Sequence, residues 1–263
     1  MADHFRRLEQ SKLVRGLLRT DGGGPDTPFT DTMLVANFSR IALQEEYIRG
    51  RGLAPAVGVN SRIKKWREPV RMVAEFGPSV SADQAIQDRN ALIAYARKLG
   101  DITGHPVQFG APDPNFHVLF VGADDMDLVA PRIRALVPDA NNRALEIFDR
   151  LPRSIHCLVL AFANTPGGYE YGTAIAVIRA EHPDLMRQSC IHEEVAQGFG
   201  LANDSPRARP SIFNDDDEFA LLTRHDQLLL QLLYDPALTP GMPPEVAMPI
   251  VERRAAALLG GAS

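Results

Sequence analysis

The residues with most chemical potential stand between Cys190 and Asp204, in the run CIHEEVAQGFGLAND. Ile191, Val195 and Phe199 recur there at four-residue spacing and Gly200 follows, so a helix is expected through the middle, ending at a left-handed glycine. On such a helix Glu193 and Gln197 share one face, and Glu194 sits about 100° around the axis, beside that face. Two oxygen ligands one turn apart, with a carboxylate next to them, are the layout that holds a metal ion and takes a proton from its bound water.

Other chemistries find little footing. There is no G-x-S-x-G elbow, no C-x-x-C pair, and no G-x-G-x-x-G after a strand. His105, His117, His156, His182 and His225 form no pair at i and i+4. Glu193 and Glu194 splay apart on a helix, which disfavours a two-carboxylate acid and base site made of them alone.

Read from Glu193, the run E-E-V-A-Q-G-F-G-L-A-N resembles the metzincin signature H-E-x-x-H-x-x-G-x-x-H, with Glu194 at the general-base position and Gly200 at the turn glycine. Ser211-Ile212-Phe213 resembles the Met-turn of that family, with Phe213 at the methionine position. Leu222-Thr223 through Asp226 to Leu233-Tyr234 is similar to the closing helix of matrixins. More narrowly, LLRTDGGGPDTPFT, the E-E-x-x-Q helix and SIFNDDDEFALLT resemble a family of exported bacterial proteins carried as a domain of unknown function, some described as lipoproteins. The wider resemblance implies a zincin-like α/β (α+β) fold: a mixed twisted sheet with backing helices, an active-site-type helix and a smaller helical C-terminal lobe. It also implies a metal-dependent peptidase ancestry, with Glu194 as general base, Glu193, Gln197, Asn203 and Asp204 as candidate metal ligands, and His192, Ser211, Phe213 and Asp215 around the same cleft. All three positions that should hold imidazoles carry Glu193, Gln197 and Asn203 instead, and neutral amide oxygens are weak ligands for zinc. Zinc is therefore weakly supported.

The narrower resemblance implies export, to the periplasm or beyond, with or without a lipid anchor. The Met1-Ala2 start fits a chain trimmed of its signal, since MADHFRRLEQ is polar. In an exported chain a disulfide between Cys157 and Cys190 is expected. The alternative is a reactive Cys190 thiolate favoured by the N-terminus of the helix.

A chain of 263 residues with 45% hydrophobic content suffices for one large two-lobed domain. A helix over residues 1–20 and a flexible glycine-rich connection to residue 28 precede the domain, whose upper lobe runs from about 29 to 200 and whose lower lobe fills 201–263. Apolar patterning predicts a helix from about 30 to 47, a strand over 70–76, and a helix capped by Ser81 to about 99. It further predicts strands over 107–109, 116–121, 155–163 and 173–180, and helices over 126–136 and 140–149. No stretch approaches the ~20 apolar residues of a membrane span.

A net charge of −5 argues against nucleic acid as a main partner. The one dense basic run, Arg62, Lys64, Lys65 and Arg67 around Trp66, reads as a solvated face, with a patch for an anionic ligand as the alternative. Asn214-Asp215-Asp216-Asp217-Glu218 reads either as turn chemistry or as a calcium site. A carboxylate pair buried without a metal also needs a raised pKa or a nearby arginine.

Three functions compete: an inactive or divergent peptidase-like domain that binds polypeptide or cell-envelope material, an active metallopeptidase, and a calcium-stabilised interaction module. The loss of imidazoles favours the first.

Overall fold

A computed structural model describes residues 1–47, 56, 58–214 and 216–260. Its centre is a mixed five-stranded sheet in the order β2-β1-β3-β5-β4, built from β1 (Val70–Phe76), β2 (Val107–Phe109), β3 (Phe116–Val121), β4 (Cys157–Ala163) and β5 (Tyr171–Arg179). Adjacent strands are parallel except β4, which runs antiparallel to β5. The central β3, FHVLFV, is buried along its whole length, as a near-continuous apolar run covered on both faces must be.

Helices cover both faces. On one, α3 (Ala82–Thr103) packs on β1 and β2, and α6 (Asp184–Gly198) packs on β4 and β5. Ser81 caps α3 as its sequence indicates, accepting from the Gln84 amide, and Gly104 closes it in the left-handed region. On the other face Leu119, Val121, Ile175 and Val177 of the sheet meet Val129, Ala130 and Ile133 of α4 (Val129–Leu136), with Leu145 of the short α5 (Asn142–Leu145) alongside.

The C-terminal part is helical. Thr223 and Asp226 form a reciprocal capping box at the start of α7 (Arg224–Leu233). Asp226 is fully buried and also accepts from Ser211 Oγ at 2.6 Å and the Ile212 amide at 3.0 Å. Beyond it, α8 (Pro244–Gly260) lies against α2 (Asp31–Ala42).

Three expectations are corrected. The first concerns the basic run, only half of which is a solvated face: Arg62 and Arg67 are exposed, but Lys64 and Lys65 are buried and flank the fully buried Trp66. Lys64 pairs with Glu45 at 2.5 Å, while Lys65 donates to the carbonyls of Leu233 and Asp235 where α7 ends, a position that suits a cation. Burial lowers the Lys65 ammonium to about 8.

The second correction is at the amino terminus, where α1 (Ala2–Val14) is shorter than expected and docks on the domain. Phe5 is fully buried edge-on to His182, with ring centres 4.3 Å apart. The glycine tract behind it is held rather than loose, because Arg19 binds Asp21, Asp26 and Glu218 and its backbone bridges to Phe219.

Finally, α6 begins at Asp184 rather than near Cys190, so Cys190 lies mid-helix. It is disulfide-bonded to Cys157. The bond ties α6 to β4, and the thiolate reading of Cys190 falls.

Candidate functional site

The candidate site lies where α6 meets the open edge of β4. Position along α6 decides which side chain goes where. Cys190, Ile191, Glu194, Val195 and Gln197 turn inward and are buried, while Glu193 is half-buried at the margin. The helix settles low on the sheet because Gly198 has no side chain: a Cβ there would stand 2.5 Å from Phe116 of β3 and 3.3 Å from Val159 of β4. Its carbonyl accepts from the Trp66 indole at 2.8 Å. Two residues on, Gly200 has φ +120°, and a Cβ would lie 2.1 Å from the Lys64 carbonyl oxygen. The expected helix stop is therefore also a point of close backbone approach.

Between α6 and β4 runs a groove of about 350 Å³. Consecutive residues Ser154 to Leu160 line one wall. Both alternating sets of a strand take part only when a groove follows its edge rather than one face. That edge of β4 has no strand partner among the described residues, since β4 pairs with β5 alone. Glu193, Glu194 and Gln197 line the groove from α6, and Glu46, Tyr47, Asp204 and Ile212 line it as well.

Its electrostatics are one-sided. Glu194 is 4% exposed and its Oε2 has no hydrogen-bond partner. Burial pushes its carboxyl well above the usual carboxylate range, and Glu193, Asp204 and Glu46 push it the same way. Of the two alternatives for a metal-free buried carboxylate, the raised pKa is the one seen among the described residues. Burial and then Glu46 also raise the Tyr47 hydroxyl. Lys12, a basic side chain that lines the groove, pairs with Asp217 at 2.7 Å.

Of the residues singled out in the sequence, Glu193, Glu194, Gln197 and Asp204 come together, and Gln197 Nε2 donates to Asp204 Oδ1 at 2.9 Å. The others lie elsewhere. Asn203 spends its amide on the Arg40 carbonyl at 2.7 Å. His192 is on another flank, stacked on Tyr95 with ring centres 4.0 Å apart, and its Nδ1 accepts from the Leu222 amide. Ser211 serves the Asp226 cap, and Phe213 is fully buried in the core. Asp215 lies outside the described residues. Within the acidic run Asp217 is taken by Lys12, and Glu218 by Arg209 and Arg19.

Sequence reasoning missed Glu46 and Tyr47. The only available signal was the polar Glu45-Glu46-Tyr47 cluster closing an apolar helix, and that is common at helix ends.

The donors do not fit zinc as the metzincin resemblance implies. The three imidazole positions hold a carboxylate and two amides, and the Asn203 amide is committed to a backbone carbonyl. Sulfur is close, since Cys157 Sγ lies within 4.8 Å of a carboxylate oxygen of both Glu193 and Glu194, but it is locked in the disulfide. What remains is oxygen, chiefly carboxylate.

Among the described residues no helix is long and apolar enough to cross a membrane. No curated protein and no solved structure matches the chain. The family model described as "Protein of unknown function (DUF2927)" matches residues 31–253, a span that takes in the whole sheet, the glutamate helix and all of the groove lining named above except Lys12. The chain therefore belongs to the DUF2927 family.

Proposed function

We propose that this chain is an exported, zincin-like domain that has kept a substrate groove without zinc chemistry, and that it binds an extended segment of polypeptide along β4. The observation that carries this reading is the open edge of β4 forming a wall of the groove, beside the two glutamates of α6. An unpaired strand edge offers a row of backbone donors and acceptors to which an extended peptide adds as one more strand. A mixed sheet whose last strand leads into the glutamate helix supports the zincin-like part. The disulfide supports an oxidising compartment.

Hydrolysis is the weaker reading. Glu194 matches the general-base position of the motif it resembles, but without a Lewis acid water keeps a pKa near 15.7.

The test is titration with a reduced, alkylated, permanently unfolded polypeptide, followed by fluorescence anisotropy, with mass spectrometry of the incubated mixture. Saturable binding without cleavage is expected. Neighbouring residues of a strand point their N–H groups to opposite sides, so of Leu158→Pro and Val159→Pro one removes a donor from the open edge. That variant should lose binding while retaining its melting behaviour. Failure to bind at millimolar polypeptide refutes the reading, and turnover by the wild type but not by Glu194→Gln replaces it with the peptidase.

A further inference from the structure

We propose that Glu193 and Glu194, with Asp204 and Glu46 in the same groove, form a binding site for a hard divalent cation, calcium, which nothing in the metzincin pattern supplies. The site goes beyond the polypeptide reading and stands without it.

The geometry comes first. One carboxylate oxygen of Glu193 and one of Glu194 lie within 4.8 Å of each other, close enough to share one cation without the helix moving. Calcium, which accepts six to eight oxygens in flexible geometry, suits side chains fixed on one helix better than magnesium, which demands a near-ideal octahedron.

The second observation is independent of acidity as such. Glu194 Oε2 is buried and lacks any hydrogen-bond partner, in a residue that lines the groove. A polar atom stranded in this way is costly unless something binds to it.

Third is the balance of charge. The groups acting on Glu194 are Glu193, Asp204 and Glu46, all acidic, and Lys12 is occupied by Asp217. A divalent cation held among these carboxylates would favour their charged forms. Oxygen donors alone select a hard ion, and the disulfide withholds the one sulfur that would draw zinc.

The experiment uses the full chain with its disulfide intact, stripped with chelator and titrated with calcium chloride by calorimetry and by thermal melting, with magnesium chloride in parallel. One calcium per chain is expected, with a melting temperature about 5 °C higher at a hundredfold excess over Kd. Glu194→Gln should weaken calcium at least ~10-fold, yet raise the melting temperature of the stripped protein by about 2–5 °C, because a buried, repelled carboxyl is gone. Glu193→Gln, at the half-buried margin, gives the same loss of affinity and serves if the first variant does not fold. Asp217→Asn should leave calcium affinity within ~3-fold, since that carboxylate belongs to Lys12.

Absence of heat and of any melting shift at millimolar calcium overturns the site. So does calcium binding that survives both glutamine variants or vanishes with Asp217→Asn. Polypeptide binding that persists in the stripped protein leaves the edge-strand reading intact whatever calcium does, so the two fail separately.

Discussion

Cutting the Cys157–Cys190 bond tests whether the groove is held by covalent chemistry or by packing alone. The bond joins the first residue of β4 to the middle of α6, so it clamps the two walls that carry the open strand edge and the glutamates. Its residues are 33 apart in sequence. Closing a loop of that length removes about 12–13 cal/mol/K from the unfolded chain, or about 4 kcal/mol at 25 °C. With an unfolding entropy of roughly 0.55 kcal/mol/K for a chain of this size, the melting temperature should fall by about 7 °C. The assay is circular dichroism melting of Cys157→Ala/Cys190→Ala beside wild type, and of wild type with and without a dithiol reductant. Double variant and reduced wild type should fall together, since both lose the same constraint. A shift under about 2 °C in both would show that packing such as Gly198 against Val159 already holds helix and strand together, and the clamp argument would be wrong.

Two further predictions follow from the same structure. Gly200→Ala must place a methyl group 2.1 Å from the Lys64 carbonyl at φ +120°, so it should cost roughly 2–4 kcal/mol and lower the melting temperature by about 4–7 °C; unchanged melting would disprove the close approach. The second concerns acid. His182 is held down to about 2 by burial, then by His156, and His192 to about 3 by burial, then by Lys98, against an ordinary value of 6.5. Below pH 6.5 the unfolded chain therefore takes up protons that the folded chain refuses, and stability is lost as pH falls from 6.5 toward 3. Glu75 adds to the loss lower down. Burial alone would raise its carboxyl, but hydrogen bonds from His117 and Arg132 outweigh that and hold it at about 2, so its contribution disappears between about pH 4.5 and 2. Urea midpoints measured from pH 7 to 4 should fall steadily for wild type and less steeply for His182→Phe. Parallel slopes would contradict the assignment.

Two of the groups singled out in the sequence are tied into structure: Asn203 bonds a carbonyl of α2, and Gln197 holds Asp204 in the groove. Glu194 Oε2 has no such partner, and that stranded oxygen is the clearest sign that the groove is arranged for something other than stability.

Local rules in the chain determined much of this protein. Apolar period marked β1, β2 and β3 at their observed bounds, Ser81 and Gly200 marked one helix start and one helix stop, and the spacing of Glu193, Glu194 and Gln197 put them on neighbouring lines of one helix. These depend on neighbours within a turn or a strand, which a sequence states directly. Tertiary structure alone decided the rest. The insertion of β5 between β3 and β4 leaves β4 at the sheet edge, so the groove has an open wall. Folding carries Glu46 and Tyr47 across roughly 150 positions of sequence to join α6, and it buries Lys64 and Lys65 because the end of α7 supplies carbonyls for one and Glu45 a carboxylate for the other. Charge patterning predicted those lysines to be solvated, as isolated charges prefer. What overrode that preference was a set of partners brought together by the packing of distant segments, and no local pattern encodes it.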